Sequence, residues 1–163
     1  MTAPAPTVRD RILDALANNL RSMTVAGGYT WDVKPSSVRR DEENILIAPA
    51  ADLPIFLVQS TERGAFSFEP ANQLKETYYA AITARVDVMA GDGGYPHAEK
   101  SRAQENLIGD IERALAIDNS LGGLPISDVR PEKAVPLQSP WPGLMVVVIV
   151  PVLIWVHRSF GQP

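Results

Sequence analysis

The sequence predicts an α+β domain, a largely antiparallel mixed sheet of about five strands packed by two main α-helices. Three observations carry this expectation. Two segments repeat apolar residues at helical spacing, several others alternate with period two, and residues 144–156, LMVVVIVPVLIWV, are apolar throughout. Valine and isoleucine are stiff at χ1 and pack well on pleated surfaces. The last run is therefore expected to be a central strand, covered on both faces and broken or bulged at Pro151. A membrane-spanning helix is the competing reading, but it takes about 20 apolar residues, and this run stops at His157 and Arg158.

The elements follow in order. Thr7 with Asp10 three residues on makes a capping-box-like start, and Val8, Ile12, Leu16, Leu20 and Met23 recur at helical spacing, which predicts a helix over 8–23. Gly27 and Gly28 lie just past its end, where helix stops tolerate positive φ. Tyr29, Trp31 and Val33 then alternate with Thr30, Asp32 and Lys34, the pattern of a half-buried strand running into Pro35. Arg39 and Arg40, answered at once by Asp41, Glu42 and Glu43, read as a solvated turn.

Residues 55–58 are apolar enough for a buried strand, and 61–70, TERGAFSFEP, read as a hairpin arm or extended loop. From about 75 to 89, Ile82, Ala84, Val86 and Val88 alternate with Thr83, Arg85 and Asp87, which predicts a long strand with one wet face. Pro96, a favoured first helical residue, opens a second amphipathic helix with Ala103, Leu107, Ile111 and Leu115 as its stripe. Glu99 with Arg102 and Asp110 with Arg113 are expected surface pairs worth about 0.2–0.5 kcal/mol each. After Leu121-Gly122-Gly123, residues 126–137 and 143–160 are strand-like. The order is helix, three strands, helix, two strands, and a parallel doubly wound sheet would need stricter alternation.

The chain has 163 residues and a formal charge of −4, which fits one domain and argues against a phosphate-neutralising nucleic-acid binder. Residues 1–7 are expected to be a flexible leader and 8–163 a single domain. Without cysteine the fold holds by packing alone, and the N-terminus lacks the apolar core of a secretory signal.

Catalytic signals are sparse. His97 and His157 are far apart and lack a local carboxylate partner. No nucleophile elbow, HExxH or EF-hand pattern occurs, so no metal and no cofactor are expected. The glycines of GDGG at 91–94 precede a helix, but neither GxGxxG nor P-loop spacing is present. A small hydrolase built from Asp87, Asp92 and His97 around that turn is the enzymatic alternative. Trp31 and Trp155 are expected in the core. Phe66 and Phe68, flanked by Glu62, Arg63 and Glu69, are expected to form a protein–protein interface, because charge beside aromatic area argues for exposure.

The whole order of parts resembles that of the tail-terminator, or tail-completion, proteins of tailed bacteriophages. The resemblance runs from a capped helix ending in Gly27-Gly28-Tyr29 through a strand, then LPIFLV with its hairpin arm and the strand ITARVDVMAG. It continues in the helix PHAEKSRAQENLIGDIERAL, then Asp118-Asn119-Ser120-Leu121-Gly122-Gly123, and a closing hydrophobic strand. It implies a small α+β subunit of the virion neck, assembled in the host cytoplasm. Such subunits form a six-membered ring on the tail tube, stop its polymerisation and offer a surface to head-completion proteins. Its implied partners are further copies of itself, the tail tube protein and head-completion or connector proteins. Genomic DNA would pass through the lumen without specific binding, and no membrane is involved. Another head–tail connector, such as a head-completion or adaptor protein, is the nearest alternative.

Overall fold

The computed structural model describes residues 5–40, 45, 49–69, 73–88, 96–124, 126–137 and 145–159. Among them, helices α1 (Val8–Arg21) and α2 (Pro96–Ile117) pack on one face of a mixed, mostly antiparallel sheet. Its strands are β1 (Val38–Arg40), β2 (Ile55–Glu69), β3 (Gln73–Asp87), β4 (Ile126–Pro131), β5 (Val135–Leu137) and β6 (Met145–Ser159). They lie in the order β1-β2-β3-β6-β4, with β5 also paired to β6. Among the described residues only the β1–β2 pairing is parallel. The α+β architecture is as the sequence predicts, with six strands instead of about five.

Helix α1 begins at Thr7, whose hydroxyl accepts from the Asp10 N–H at 3.2 Å while the Asp10 carboxylate accepts from the Thr7 N–H at 3.1 Å. This reciprocal cap satisfies two donors that a helix start otherwise leaves open. Ile12, Leu13, Leu16, Ala17 and Leu20 form the buried stripe against the sheet and α2. Helix α2 buries Leu107, Ile111 and Leu115 as expected, with Ala103 packed at the margin.

The run at 144–156 is the central strand, with β6 seated between β3 and β4. Val146, Val148, Val150, Val152, Ile154 and Val156 are buried beneath the helices. The expectation that both faces are covered is corrected. On the opposite face Val147 is buried, but Met145, Ile149, Pro151, Leu153, Trp155 and His157 are only half-buried. Pro151 does not break or bulge the ladder with β3 either, because the register runs unbroken from Gln73↔Ser159 to Asp87↔Met145. In a strand, a residue's N–H and C=O point to the same side in the sheet plane. The Pro151 carbonyl accepts from the Glu132 N–H at 2.8 Å, so the missing N–H also faces away from β3, into the interval where β4 ends and β5 begins.

Other expectations are also corrected. Residues 29–34 form a loop instead of a strand. Tyr29 and Val33 are buried because the loop docks. The Val33 N–H donates to the Met23 carbonyl at 3.0 Å, and the Asp32 carboxylate accepts from the Val25 N–H at 2.7 Å. Gly28, at φ +86°, lies so close to the Arg113 guanidinium that a Cβ there would stand 2.9 Å from Nη1. Asp110 and Arg113 do not form a surface pair. Asp110 accepts from the Thr30 N–H at 2.8 Å, while Arg113 donates to the carbonyls of Gly28 and Gly27 and lies over the Tyr29 ring. Burial pushes the Tyr29 phenol above its ordinary value, with Arg113 opposing and Asp110 reinforcing the shift.

Arg39 and Arg40 belong to β1 instead of a solvated turn. Arg39 pairs with Asp52 at 2.9 Å, and Arg40 reaches Asp14 at 2.6 Å and Asp10 at 3.4 Å on α1. The acidic residues 41–43 lie outside the described residues.

Candidate interaction surface

The helices cover one face of the sheet and leave the other as its outer face. Cross-strand register fixes which residues share it. Thr83 stands opposite Ile149, and Ile149 opposite Val135; Ala81 stands opposite Pro151; Tyr79 opposite Leu153, and Leu153 opposite Arg130. Thr77 stands opposite Trp155, and Trp155 opposite Asp128, while Lys75 faces His157 at the end of the row. Tyr79 is 38% exposed, and Val135 and Leu137 are more exposed still. The Lys75 ammonium lies 5.6 Å from the centroid of the Trp155 ring, a distance at which the ring face attracts the cation.

The result is an apolar band across β5, β6 and β3, carrying an aromatic pair and bordered by charge. That is the make-up of a protein-binding surface more than of a small-molecule cleft. Trp155, expected in the core, is instead half-exposed at the centre of this band, whereas Trp31 does pack against the core. Trp141 lies outside the described residues.

At the β1 end the wet face expected of β3 is closed over. Arg85 is only 6% exposed and packs beside the small cluster of Ile45, Ile55 and Leu57. Its guanidinium donates Nη1 to the Ile45 carbonyl at 3.0 Å, and Nε and Nη2 to the two Asp87 oxygens at 3.1 and 3.0 Å. A bidentate pair of this kind is among the stronger polar contacts a fold makes, and it occupies both oxygens of Asp87. That carboxylate is thus a poor candidate for a general base. Asp92 and the side chain of His97 lie outside the described residues. Among the described residues no group of three or more His, Cys, Asp or Glu is arranged to hold a metal, and no helix is long and apolar enough to cross a membrane.

Glu62, Arg63, Phe66, Phe68 and Glu69 all fall in the distal half of β2. The backbone pairs Arg63 with Tyr78, Phe66 with Glu76, Phe68 with Leu74 and Glu69 with Gln73. Register shifts between Ser60 and Arg63, and again between Arg63 and Phe66, put extra residues into β2. The side chains at these five positions lie outside the described residues.

Sequence reasoning missed the band itself. In β6 residues of both parities are apolar, so the strand carries no period-two signal. The usable signal lay in β3, where Lys75, Thr77 and Thr83 mark the face that its partner strand must share.

No family model matches the chain, and no curated protein matches it. Among solved structures, a chain of the virion of a native gene transfer agent particle aligns with a TM-score of 0.48 and 11% identity, covering 94% of this chain and 100% of that one. A likeness at that level does not extend to function.

Proposed function

We propose that this chain is a structural subunit of a tailed-phage-like virion, a tail-terminator protein. In this role it forms a ring, six-membered by the resemblance, that caps the tail tube, ends its polymerisation and presents a surface for joining the head. The observation that carries the reading is the order of parts along nearly the whole chain, from the capped α1 through the β2–β3 hairpin and α2 to the Leu121-Gly122-Gly123 turn and the closing strand β6. The strand expected after Tyr29 is a loop instead, and the remaining parts keep their order.

The two-layer architecture supports the same role. A ring with rotational symmetry needs two different patches on each subunit, one meeting the other on the next copy. Helices on one side and, on the other, a sheet face partly exposed along β5, β6 and β3 supply unlike surfaces. The distal half of β2, with Glu62, Arg63, Phe66, Phe68 and Glu69, is proposed as the surface that meets the tail tube or a neighbouring subunit. The net charge of −4 suits a lumen through which DNA slides without sticking.

The test is genetic removal of the chain from the producing particle, followed by electron microscopy. Tails of uncontrolled length without heads support the role. Tails of normal length joined to heads contradict it. Particles with tails of normal length but no heads would favour the other connector roles.

A further inference from the structure

We propose that the outer sheet face around Trp155 receives the exposed face of α2 from a second copy of this chain. This rests on the ring reading and names its subunit contact. The sheet patch has Tyr79, Leu153 and Trp155 at its centre and Lys75, Arg130 and Asp128 at its border. Aromatic and aliphatic area enclosed by charge is how energetically dominant interface patches are built.

The exposed face of α2 is its complement in charge. Around Gly109 it presents Glu105 and Glu112, with Arg102 nearer the start of the helix. Among the described side chains the sheet patch carries two cations and one acid, and the helix patch two acids and one cation. Arg113 does not disturb this match, because it is turned onto the carbonyls of Gly27 and Gly28 and the Tyr29 ring. Gly109 adds a steric reason. A Cβ built there meets nothing within 4 Å, so internal packing does not require glycine, although glycine inside a helix costs about 1 kcal/mol relative to alanine. A missing side chain at the middle of this face lets a flat surface bearing Tyr79 and Trp155 come close to the helix backbone. The two patches lie on opposite layers of the fold, so the contact is head-to-tail, as a closed ring demands.

The chain has no cysteine, so engineered cysteines give a clean readout. Thr77→Cys and Ala116→Cys, the latter two turns from Gly109 on the same exposed face of α2, are made singly and together in the full chain. Each is treated with a short bis-maleimide in concentrated protein and in assembled particles. A ladder of covalent oligomers from the double variant, absent from both singles, is the expected result. Linked dimers from either single variant would overturn the proposal in favour of a two-fold contact. A double variant that forms rings by electron microscopy yet gives no ladder would overturn it while leaving the ring reading intact. Absence of rings and ladder from native-like protein in particles would remove both. As an independent check, Lys75→Glu and Glu112→Lys should each weaken association by on the order of tenfold, and the double reversal should restore much of it. Reversals with no effect on association count against the contact.

Discussion

Asp110 of α2 accepts a hydrogen bond from the backbone N–H of Thr30 at 2.8 Å, across 80 positions of sequence, and is itself only 8% exposed. Together with Arg113 on the Gly27 and Gly28 carbonyls, this contact ties the loop between α1 and β1 to the second helix. Asp110→Ala leaves a part-buried N–H without its acceptor and should cost about 1–3 kcal/mol, whereas Asp110→Asn, which keeps an oxygen in place, should cost less. Urea denaturation of the two variants checks this; equal stability of Asp110→Ala and the parent chain would show the tie to be idle.

The two faces of β6 should respond differently to charge. Val148 is fully buried under the helices, so Val148→Asp places an unpaired carboxylate in the core and should prevent folding or cost several kcal/mol. Ile149 lies on the half-buried outer face, and Ile149→Asp should give a folded protein. Circular dichroism and thermal melting distinguish the outcomes, and equal damage at both positions would contradict an outer face that is only half-buried at Ile149.

Pro151 should be replaceable. Its missing N–H faces the interval between β4 and β5, so Pro151→Ala restores a donor without disturbing the β3 ladder. The expected loss is about 0.4–1 kcal/mol, from a looser unfolded chain. A collapse in melting temperature would mean that the ring of Pro151 holds the handover between the two edge strands.

These contrasts also mark what was legible in the sequence. The cap at Thr7 and the stripes of α1 and α2 were readable because local period and burial agree there, and the central place of β6 because an unbroken apolar run has to be buried. The loop at 29–34 was misread because Tyr29 and Val33 are buried by docking onto distant groups, Arg113 and the Met23 carbonyl, and this imitates alternation. Strand β1 was hidden by its own charge. Arg39 and Arg40 sit in a strand where Asp52, Asp14 and Asp10 pair with them from elsewhere in the chain. The outer-face band was invisible for a different reason, since Ile149, Leu153 and Trp155 are as apolar as the buried residues that alternate with them.

Acid should weaken the protein partly through two surface carboxylates. Asp10 titrates below the ordinary value of 3.8, chiefly because the Thr7 hydroxyl and then the Thr7 N–H bond to its charged form, with Arg40 adding to them. Asp118 is lowered chiefly by the Ser120 hydroxyl and then by the Gly122 N–H. A folded-state value below the unfolded one gives stability that is present in full above the unfolded pKa and is lost as pH falls through the folded one. Asp10→Asn and Asp118→Asn should therefore each flatten the acid limb of a melting-temperature profile below about pH 4. A limb as steep as that of the parent chain would show that neither carboxylate contributes.

The proposed role itself is tested most directly by locating the chain in the particle. Cryo-electron microscopy of intact virions with this chain tagged at its C-terminus should place a ring of six copies at the head-proximal end of the tail tube. A tag signal elsewhere in the particle, or copies that form no closed ring at that position, would contradict it.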